Sequence, residues 1–225
     1  MPEFRYAQFC PLARAAEVVG ERWTLLVARE LLLGPKRFSD LREALAGVSS
    51  SVLADRLARL ERRDVVAWRR LPPPAAARVY ELTEIGRALE PVVLALARWG
   101  ARFLAAPEPG DRLEPAWVRL GLMTFARPGP TPARRFNVTA RVGDREAAFG
   151  VAGGPGGTRV GDPDAAADAS LCAGPLAILA LASGRLDPAR ALRSGELRAE
   201  GNLGALADFP DLFEMQTPTK QGDRA

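Results

Sequence analysis

The chain has 225 residues, 48% of them hydrophobic, and it contains two cysteines and no histidine. That length allows one large domain or two small ones with apolar cores. The missing histidine excludes Ser-His-Asp and Cys-His catalysis and removes the commonest zinc ligand, and the cysteines have no CxxC spacing that would indicate a zinc site. We therefore expect a protein that is not an enzyme and uses no metal or cofactor.

Positive charge is concentrated in one part of the chain. Residues 1–104 carry 17 Lys and Arg against 12 Asp and Glu, whereas the remainder carries 14 against 15. This asymmetry is typical of a module that binds a polyanion and is joined to a neutral domain. The sequence has neither an apolar run of 18 residues nor the order of a signal peptide, so we expect a cytoplasmic protein with no membrane segment.

The first region predicts short helices separated by clear stop signals. Pro11 begins a helix that ends at Gly20, and a second helix stops at Gly34-Pro35. The core-facing stripe of this second helix is expected to consist of Trp23, Leu26, Val27 and Leu31. A third helix is expected to begin at Ser39 as its N-cap, since serine favours that position.

A fourth helix follows the turn "AGV", with Ser49 or Ser50 as its N-cap. Its buried face, at spacings of four and three residues, is expected to consist of Leu53, Leu57 and Leu60. The face that points away from the core then consists of Ser51, Asp55, Ala58 and Arg62. The third and fourth helices together predict a helix-turn-helix.

A β-hairpin and a long helix are predicted next. The runs "VVAWRR" and "RVYELT" favour strands, and "LPPPAAA" between them favours a turn, so we expect a wing. Thr83 is the expected N-cap of a helix that extends to residue 104 and that Pro91 kinks. Its apolar stripe, which we expect to mediate dimerisation, consists of Leu89, Val92, Val93, Leu96 and Trp99.

The Pro- and Gly-containing residues 105–115 predict a linker between two domains. Residues 116–215 then read as an α+β domain, because short strands at "FNVTARVG", "EAAFGVAG", "GTRVG", "ADASLCAG" and "GELRAEG" are mixed with helices at "WVRLGLMTF", "PLAILALAS" and "NLGALADFPDLF". The run "GGPGG" at 153–157 predicts a hairpin turn rather than a phosphate-binding loop, since no Lys-Ser/Thr follows it. Residues 216–225 predict a flexible tail.

Residues 10–100 resemble the HxlR-type winged helix-turn-helix regulators, which are MarR-like. The likeness rests on "CPLARAAEVVGERWTLLVARELLLGPKRFSDLREAL", "SSSVLADRLARLERRDVV" and "YELTEIGRALEPVVLALARWG". It implies a homodimer whose recognition helices enter major grooves of double-stranded DNA while the wings touch the backbone. The residues expected to contact DNA are Lys36, Arg37, Ser49, Ser50, Ser51, Arg56, Arg59, Arg69, Arg70 and Arg78.

Within this set, the three serines with Arg56 and Arg59 are the candidates near base edges, and the other arginines and Lys36 are candidates for phosphate contacts. Ser50 and Ser51 stand where family members often have Pro-Arg. This departure predicts fewer direct base contacts and a greater dependence on DNA shape. Cys10 stands where related regulators sometimes use a redox-sensing cysteine, and its position at a helix start favours a thiolate; the alternative is a buried structural thiol.

Residues 166–213 are similar to the closing part of sterol-carrier-protein domains, and this likeness extends loosely over the last hundred residues. It implies an apolar cavity between sheet and helices and a hydrophobic small-molecule effector. The residues that either line such a cavity or fill a core are Trp117, Phe136, Phe149, Leu176 and Leu179.

The hypothesis is therefore a ligand-responsive transcriptional regulator, with a winged helix-turn-helix domain at 1–104 and a sterol-carrier-like domain at 116–215. The rival hypothesis is a carrier of lipids or apolar metabolites whose N-terminal domain only dimerises. The basic N-terminal half discriminates between the two hypotheses, because a carrier has no need of a polyanion-binding surface.

Overall fold

The computed structural model describes residues 5–74, 76–104 and 106–215, so the predicted tail at 216–225 lies outside the described residues. The chain divides into two compact units, Met1–Ala95 and Leu96–Ala225. Residues 106–114 contain neither helix nor strand. The linker and domain boundaries expected from the sequence stay a prediction.

The N-terminal unit is a winged helix-turn-helix. Its elements are α1 (Pro11–Val19), α2 (Thr24–Leu32), α3 (Phe38–Ala44), α4 (Ser50–Arg62), β1 (Val66–Arg70), β2 (Arg78–Leu82), α5 (Glu84–Arg87) and the start of α6 (Glu90–Gly100). β1 and β2 pair antiparallel, so the predicted wing is present. One apolar core contains Leu53, Leu57 and Leu60 of α4, as the helical spacing predicted.

Two helix details differ from the sequence prediction. Leu26 was expected in the core but its side chain is exposed, whereas Glu30 of the same helix is buried. Leu26 lies at the edge of the apolar stripe, and tertiary packing decides which edge of a stripe is covered. The N-cap of α3 is Arg37 rather than Ser39, and the Asp40 carboxylate stabilises this helix start by accepting the Arg37 backbone N–H at 3.0 Å.

The long helix predicted after the wing is two helices. Thr83 is the N-cap of α5, as expected, and its hydroxyl accepts the Gly86 N–H at 3.1 Å, but α5 ends at Arg87 and α6 begins at Glu90. Pro91 lies in the first turn of α6, where its missing N–H costs no intrahelical hydrogen bond. The proline therefore marks a new helix start rather than a kink within one helix.

One side of α6 and of the following turn is apolar and exposed. Its residues recur at spacings of four, three and four, which places them on one face of a helix. They are Val92, Leu96, Trp99 and Phe103, and we call them the α6 apolar face. Val93 of the predicted stripe is buried and Leu89 packs against the core, so only part of that stripe is open to solvent.

The C-terminal unit is an α+β domain built on a five-stranded sheet. The strands are β3 (Arg135–Val142), β4 (Arg145–Ala152), β5 (Arg159–Gly161), β6 (Ala169–Ala173) and β7 (Leu197–Gly201). Their order is β5-β4-β3-β6-β7, with β3 and β6 parallel and the other pairs antiparallel. The helices are α7 (Pro115–Phe125), α8 (Pro175–Ala182) and α9 (Pro188–Ser194).

One face of this sheet holds the apolar core. Phe136 and Val138 of β3, with Leu171 of β6, pack with Leu122 of α7 and Ile178 of α8. Because side chains alternate across a strand, the residues between them lie on the opposite face of the sheet. That outer face carries Arg135, Asn137, Thr139 and Arg141 of β3.

Two elements of this unit differ from the sequence prediction. α9 was not predicted, although Asp187 caps it by accepting the Arg190 N–H at 2.7 Å and Gly195 follows it in the left-handed conformation. The expected last helix consists instead of two 3₁₀ segments, Leu203–Asp208 and Pro210–Leu212, because Pro210 cannot continue a helical hydrogen-bond ladder. Among the described residues, no helix is both long and apolar enough to cross a membrane.

Candidate nucleic-acid interface

The first turn of α4 presents hydroxyl side chains to solvent. Ser49 caps the helix by accepting the Val52 N–H at 3.3 Å, which decides between the two caps that the sequence allowed. Ser50 and Ser51 follow it and are exposed. Backbone N–H groups at a helix start have no partner in the helix and attract anions, so this end of α4 suits the approach of a phosphate or a base edge.

The solvent face of α4 is the one that the sequence predicted. It consists of Ser51, Asp55, Ala58 and Arg62, all exposed. Ala54 beside them is also exposed. Because most of these side chains are short, the α4 backbone can come close to a flat or grooved partner.

A contact that the sequence reasoning missed joins α3 to α4. Nη1 of Arg42 donates to the Ser50 hydroxyl at 3.2 Å, and both residues are exposed. A guanidinium has five donors, so Arg42 can hold Ser50 and still bind an anion. The sequence did contain a signal for Arg42. It follows Leu41, the buried residue of α3, and the helical repeat therefore directs it towards solvent.

Lys36 and Arg37 lie just before α3 but differ in how strongly other residues hold their side chains. The Lys36 backbone pairs with Tyr80 of β2, with N···O distances of 2.9 and 2.7 Å, and its ammonium lies 3.8 Å from the buried Glu30 carboxylate. Lys36 is therefore tied to the wing and to α2. Arg37 is exposed and is the freer of the two cations.

Arg56 and Arg59 do not extend from α4 as the sequence suggested. Both guanidinium groups form ion pairs with the Glu21 carboxylate at the turn between α1 and α2, and Arg59 is 2.9 Å from it. Arg59 also donates to Asp55 at 3.0 Å. Each arginine side chain is only 17% exposed, because Glu21 engages both guanidinium groups against the domain instead of leaving them extended into solvent.

The surroundings of Arg56 explain its electrostatics. Burial lowers the pKa of the Arg56 guanidinium, and repulsion from Arg59 lowers it further. A desolvated cation next to another cation needs a carboxylate to offset the cost. Glu21 supplies that carboxylate to both residues, and we call Glu21, Asp55, Arg56 and Arg59 the Glu21 cluster.

The base of the wing carries cations on two faces. Arg69 donates to Glu81 at 2.9 Å and is thereby partly neutralised. Arg70 and Arg78 are direct cross-strand partners on the other face, where the Arg78 guanidinium lies 4.3 Å from the centre of the Trp68 ring. Like charges directly opposite each other destabilise a hairpin, so this face suits an external anion.

Arg78 has a distant partner in Glu61, at 3.7 Å. For Arg70, the described part of the chain provides no carboxylate at ion-pairing distance. All three wing arginines are exposed. The Arg70–Arg78 pair therefore carries the least compensated positive charge of the wing.

Cys10 is the N-cap of α1 and is partly exposed. Cys172 is also a free thiol of intermediate exposure. It follows the buried Leu171 in β6 and therefore lies on the outer face of the sheet.

Three of the five residues proposed for an apolar cavity share one packed core. Phe136 and Phe149 are buried in the packed core, where the Phe136 ring lies edge-on to Phe209 at 5.1 Å. Leu179 packs against that core, but Leu176 is exposed. Of the two sequence alternatives, core filling is the one that holds for both phenylalanines, because their side chains are fully enclosed by other apolar groups.

Comparisons with known proteins match both units. A family profile described as HxlR-like helix-turn-helix matches residues 18–108, and the SCP-2 sterol transfer family matches residues 135–214. The HTH-type transcriptional regulator YodB of Bacillus subtilis (strain 168) is 37% identical over 103 residues, covering 45% of this chain and 89% of the regulator.

A second relative in that organism, the uncharacterized HTH-type transcriptional regulator YvaP, is 32% identical over 99 residues. The match covers 44% of this chain and 92% of YvaP. The solved reduced form of YodB is 36% identical, with a TM-score of 0.38, over 46% of this chain and 100% of that chain.

Proposed function

The chain belongs to the HxlR-like helix-turn-helix family, and from this premise we propose that it regulates transcription as a homodimer bound to a pseudo-palindromic operator. The observation that carries the proposal is the exposed hydroxyl-bearing start of α4, with Arg42 against it. In a dimer of this kind the two recognition helices lie about 34 Å apart, one turn of DNA.

Phosphate contacts supply most of the proposed affinity. Arg37, Arg42 and the Arg70–Arg78 pair are the exposed cations that support it. Ser50 and Ser51 lie nearest the base edges, and with Arg56 and Arg59 held in the Glu21 cluster the direct base contacts are few. The operator is therefore recognised largely through DNA shape, and binding weakens steeply as salt rises.

Dimerisation through the α6 apolar face supports the same proposal. Its exposed side chains include Trp99 and Phe103, whose rings contact each other at 4.9 Å between centroids. A contiguous apolar surface on a helix is typical of an interface between proteins. A second copy of the chain offers the same face, which a two-fold axis can pair with itself.

An effector that binds the C-terminal domain would modulate DNA binding by differing in affinity for two states of the protein. The SCP-2 match supports an apolar effector, although Phe136 and Phe149 are engaged in the core. Oxidation of Cys10 is the other proposed input. An apolar compound library that neither raises the melting temperature nor shifts DNA binding would contradict the first of these.

Arg70→Ala tests the DNA interface. We expect this variant to bind the operator about tenfold more weakly, with the slope of log affinity against log salt reduced by about 1, because one phosphate contact is lost. Its melting temperature should not fall, because the substitution removes a like-charge pair across β1 and β2. Fluorescence anisotropy with the protein's own upstream DNA measures the first effect, and calorimetry measures the second.

The matched control is Arg87→Ala, which removes an exposed arginine from α5, outside the helix-turn-helix and the wing. Its affinity and salt slope should equal those of the unmodified protein. Equal affinities of the Arg70 and Arg87 variants would remove the wing from the interface. The absence of binding by the unmodified protein to any upstream fragment would contradict the proposed function itself.

A further inference from the structure

A cleft of about 510 Å³ opens at one end of the C-terminal sheet. It is lined by the start of β3, the start of β5, the glycine-rich loop 153–157 between β4 and β5, and Asp168. A volume of this size accommodates a small metabolite. Neither the helix-turn-helix nor the apolar core of the domain uses it.

Two arginines of this cleft share one face of the sheet. Arg135 of β3 is the cross-strand partner of Ala152 in β4, and Ala152 is the partner of Arg159 in β5. Direct cross-strand partners point to the same side, so both guanidinium groups rise from one row with only a methyl group between them. Their Cα atoms are about 10 Å apart, two strand spacings, and their flexible side chains can converge on one group.

The row lies on the outer face of the sheet. Phe136, next to Arg135, points into the core that α7 and α8 cover, so Arg135 points the other way. An apolar cavity of the sterol-carrier type would lie between sheet and helices. The cleft is thus separate from the place where such a cavity is expected.

Positive charge in the cleft is only partly balanced. The Arg135 guanidinium lies 3.3 Å from the Asp164 carboxylate, and an Asp168 oxygen accepts the Arg135 backbone N–H at 2.7 Å. Arg159 is exposed, and within the described ranges no carboxylate lies at ion-pairing distance from it. Arg159 is therefore the cation available to a ligand.

The loop 153–157 forms a wall made mostly of backbone. It is the hairpin turn that the sequence predicted, held by hydrogen bonds between Gly154 and Thr131. A Cβ placed on Gly154 or Gly156 would meet no protein atom within 4 Å. A ligand can therefore approach the loop closely without displacing a side chain.

We propose that this cleft binds a small oxyanion, a metabolite bearing a carboxylate or phosphate group, through Arg159 with assistance from Arg135. A guanidinium binds either group through paired, charge-assisted hydrogen bonds. Asp168 disfavours highly charged anions by repulsion and provides an acceptor for a hydroxyl or amine of the ligand. The cleft gives the C-terminal domain a site for a polar ligand, on the face of the sheet opposite the apolar core.

Isothermal titration calorimetry on the full chain tests the proposal, with inorganic phosphate and succinate as probes at constant ionic strength. We expect saturable binding of at least one probe, and the stronger of the two identifies the anion class. Arg159→Glu should weaken that binding about tenfold or more, because it removes a charge-assisted pair and adds repulsion. Arg159→Lys should retain part of the affinity, since the charge stays but the paired geometry is lost.

Arg193→Glu, on the exposed side of α9 away from the cleft lining, is the control with the same change in net charge. Unaltered affinity in this variant, with all variants melting at the same temperature, supports the site. The proposal is overturned if neither probe binds, or if the Arg159 and Arg193 variants lose affinity equally. DNA binding plays no part in this measurement, so its outcome is independent of the proposed regulatory function.

Discussion

Glu21→Ala is expected to lower the free energy of unfolding of the N-terminal unit by about 2–3 kcal/mol, between the values for breaking an exposed and a fully buried ion pair. The Glu21 carboxylate neutralises Arg56 and Arg59, whose side chains are each 17% exposed. Its loss leaves two desolvated cations with Asp55 as their remaining partner within the Glu21 cluster. Differential scanning calorimetry of the full chain measures the change.

DNA binding should weaken in the same variant, because the Glu21 cluster ties α4 to the turn between α1 and α2. Repulsion between Arg56 and Arg59 then acts directly on α4, the proposed recognition helix. The anisotropy assay at a temperature well below the melting point measures this effect. An unchanged affinity would show that the cluster stabilises the domain without positioning α4.

Glu61→Ala is the matched control for stability. Glu61 is also paired with an arginine, but its partner Arg78 lies 3.7 Å away and is 49% exposed. Exposed ion pairs contribute about 1 kcal/mol or less, so the free energy of unfolding of this variant should fall only slightly. Equal decreases in the Glu21 and Glu61 variants would show that the burial of Arg56 and Arg59 does not strengthen their pairing with Glu21.

A double variant separates the cost of unpaired charge from the loss of a contact. Glu21→Gln with Arg56→Met removes one negative and one positive charge from the Glu21 cluster and places an apolar side chain where Arg56 stood. Replacing a buried ion pair by apolar groups is often neutral. We therefore expect the double variant to be more stable than Glu21→Ala, and a lower stability would count against the desolvation argument.

Leu96→Asp is expected to convert the proposed dimer to a monomer. Leu96 lies in the middle of the α6 apolar face, and burying a large apolar side chain contributes about 1.5–3 kcal/mol. In a two-fold symmetric dimer the substitution is present in both copies of the chain, so the interface loses two leucines. The dimer dissociation constant should therefore rise by a factor of about 10² to 10⁴, which light scattering coupled to size-exclusion chromatography measures over a dilution series.

Leu176→Asp provides the comparison, because Leu176 is an exposed leucine on α8, outside the α6 apolar face. This variant should retain the association state of the unmodified chain. A monomeric Leu96 variant should also lose operator affinity, since one half-site then binds alone. Dimers that persist in the Leu96 variant would assign the interface to another surface.

Short-range signals in the sequence predicted much of the fold. Ser49 and Thr83 cap α4 and α5 as expected, because an N-cap depends on a few adjacent residues. The spacing of Leu53, Leu57 and Leu60 predicted the buried face of α4, and with it the opposite solvent face. The positions of β1 to β7 also followed from short β-prone runs separated by turn residues.

Tertiary structure decided how the charges are used. Nothing in the repeat of α4 distinguishes Arg56 and Arg59 from Arg62, which is exposed, because the carboxylate that engages them comes from Glu21, more than thirty residues earlier. The row of Arg135, Ala152 and Arg159 likewise depends on strand register. Local sequence sets helix caps, turns and faces through short-range interactions, whereas ion pairs and cross-strand neighbours join distant residues and exist only once the chain has folded.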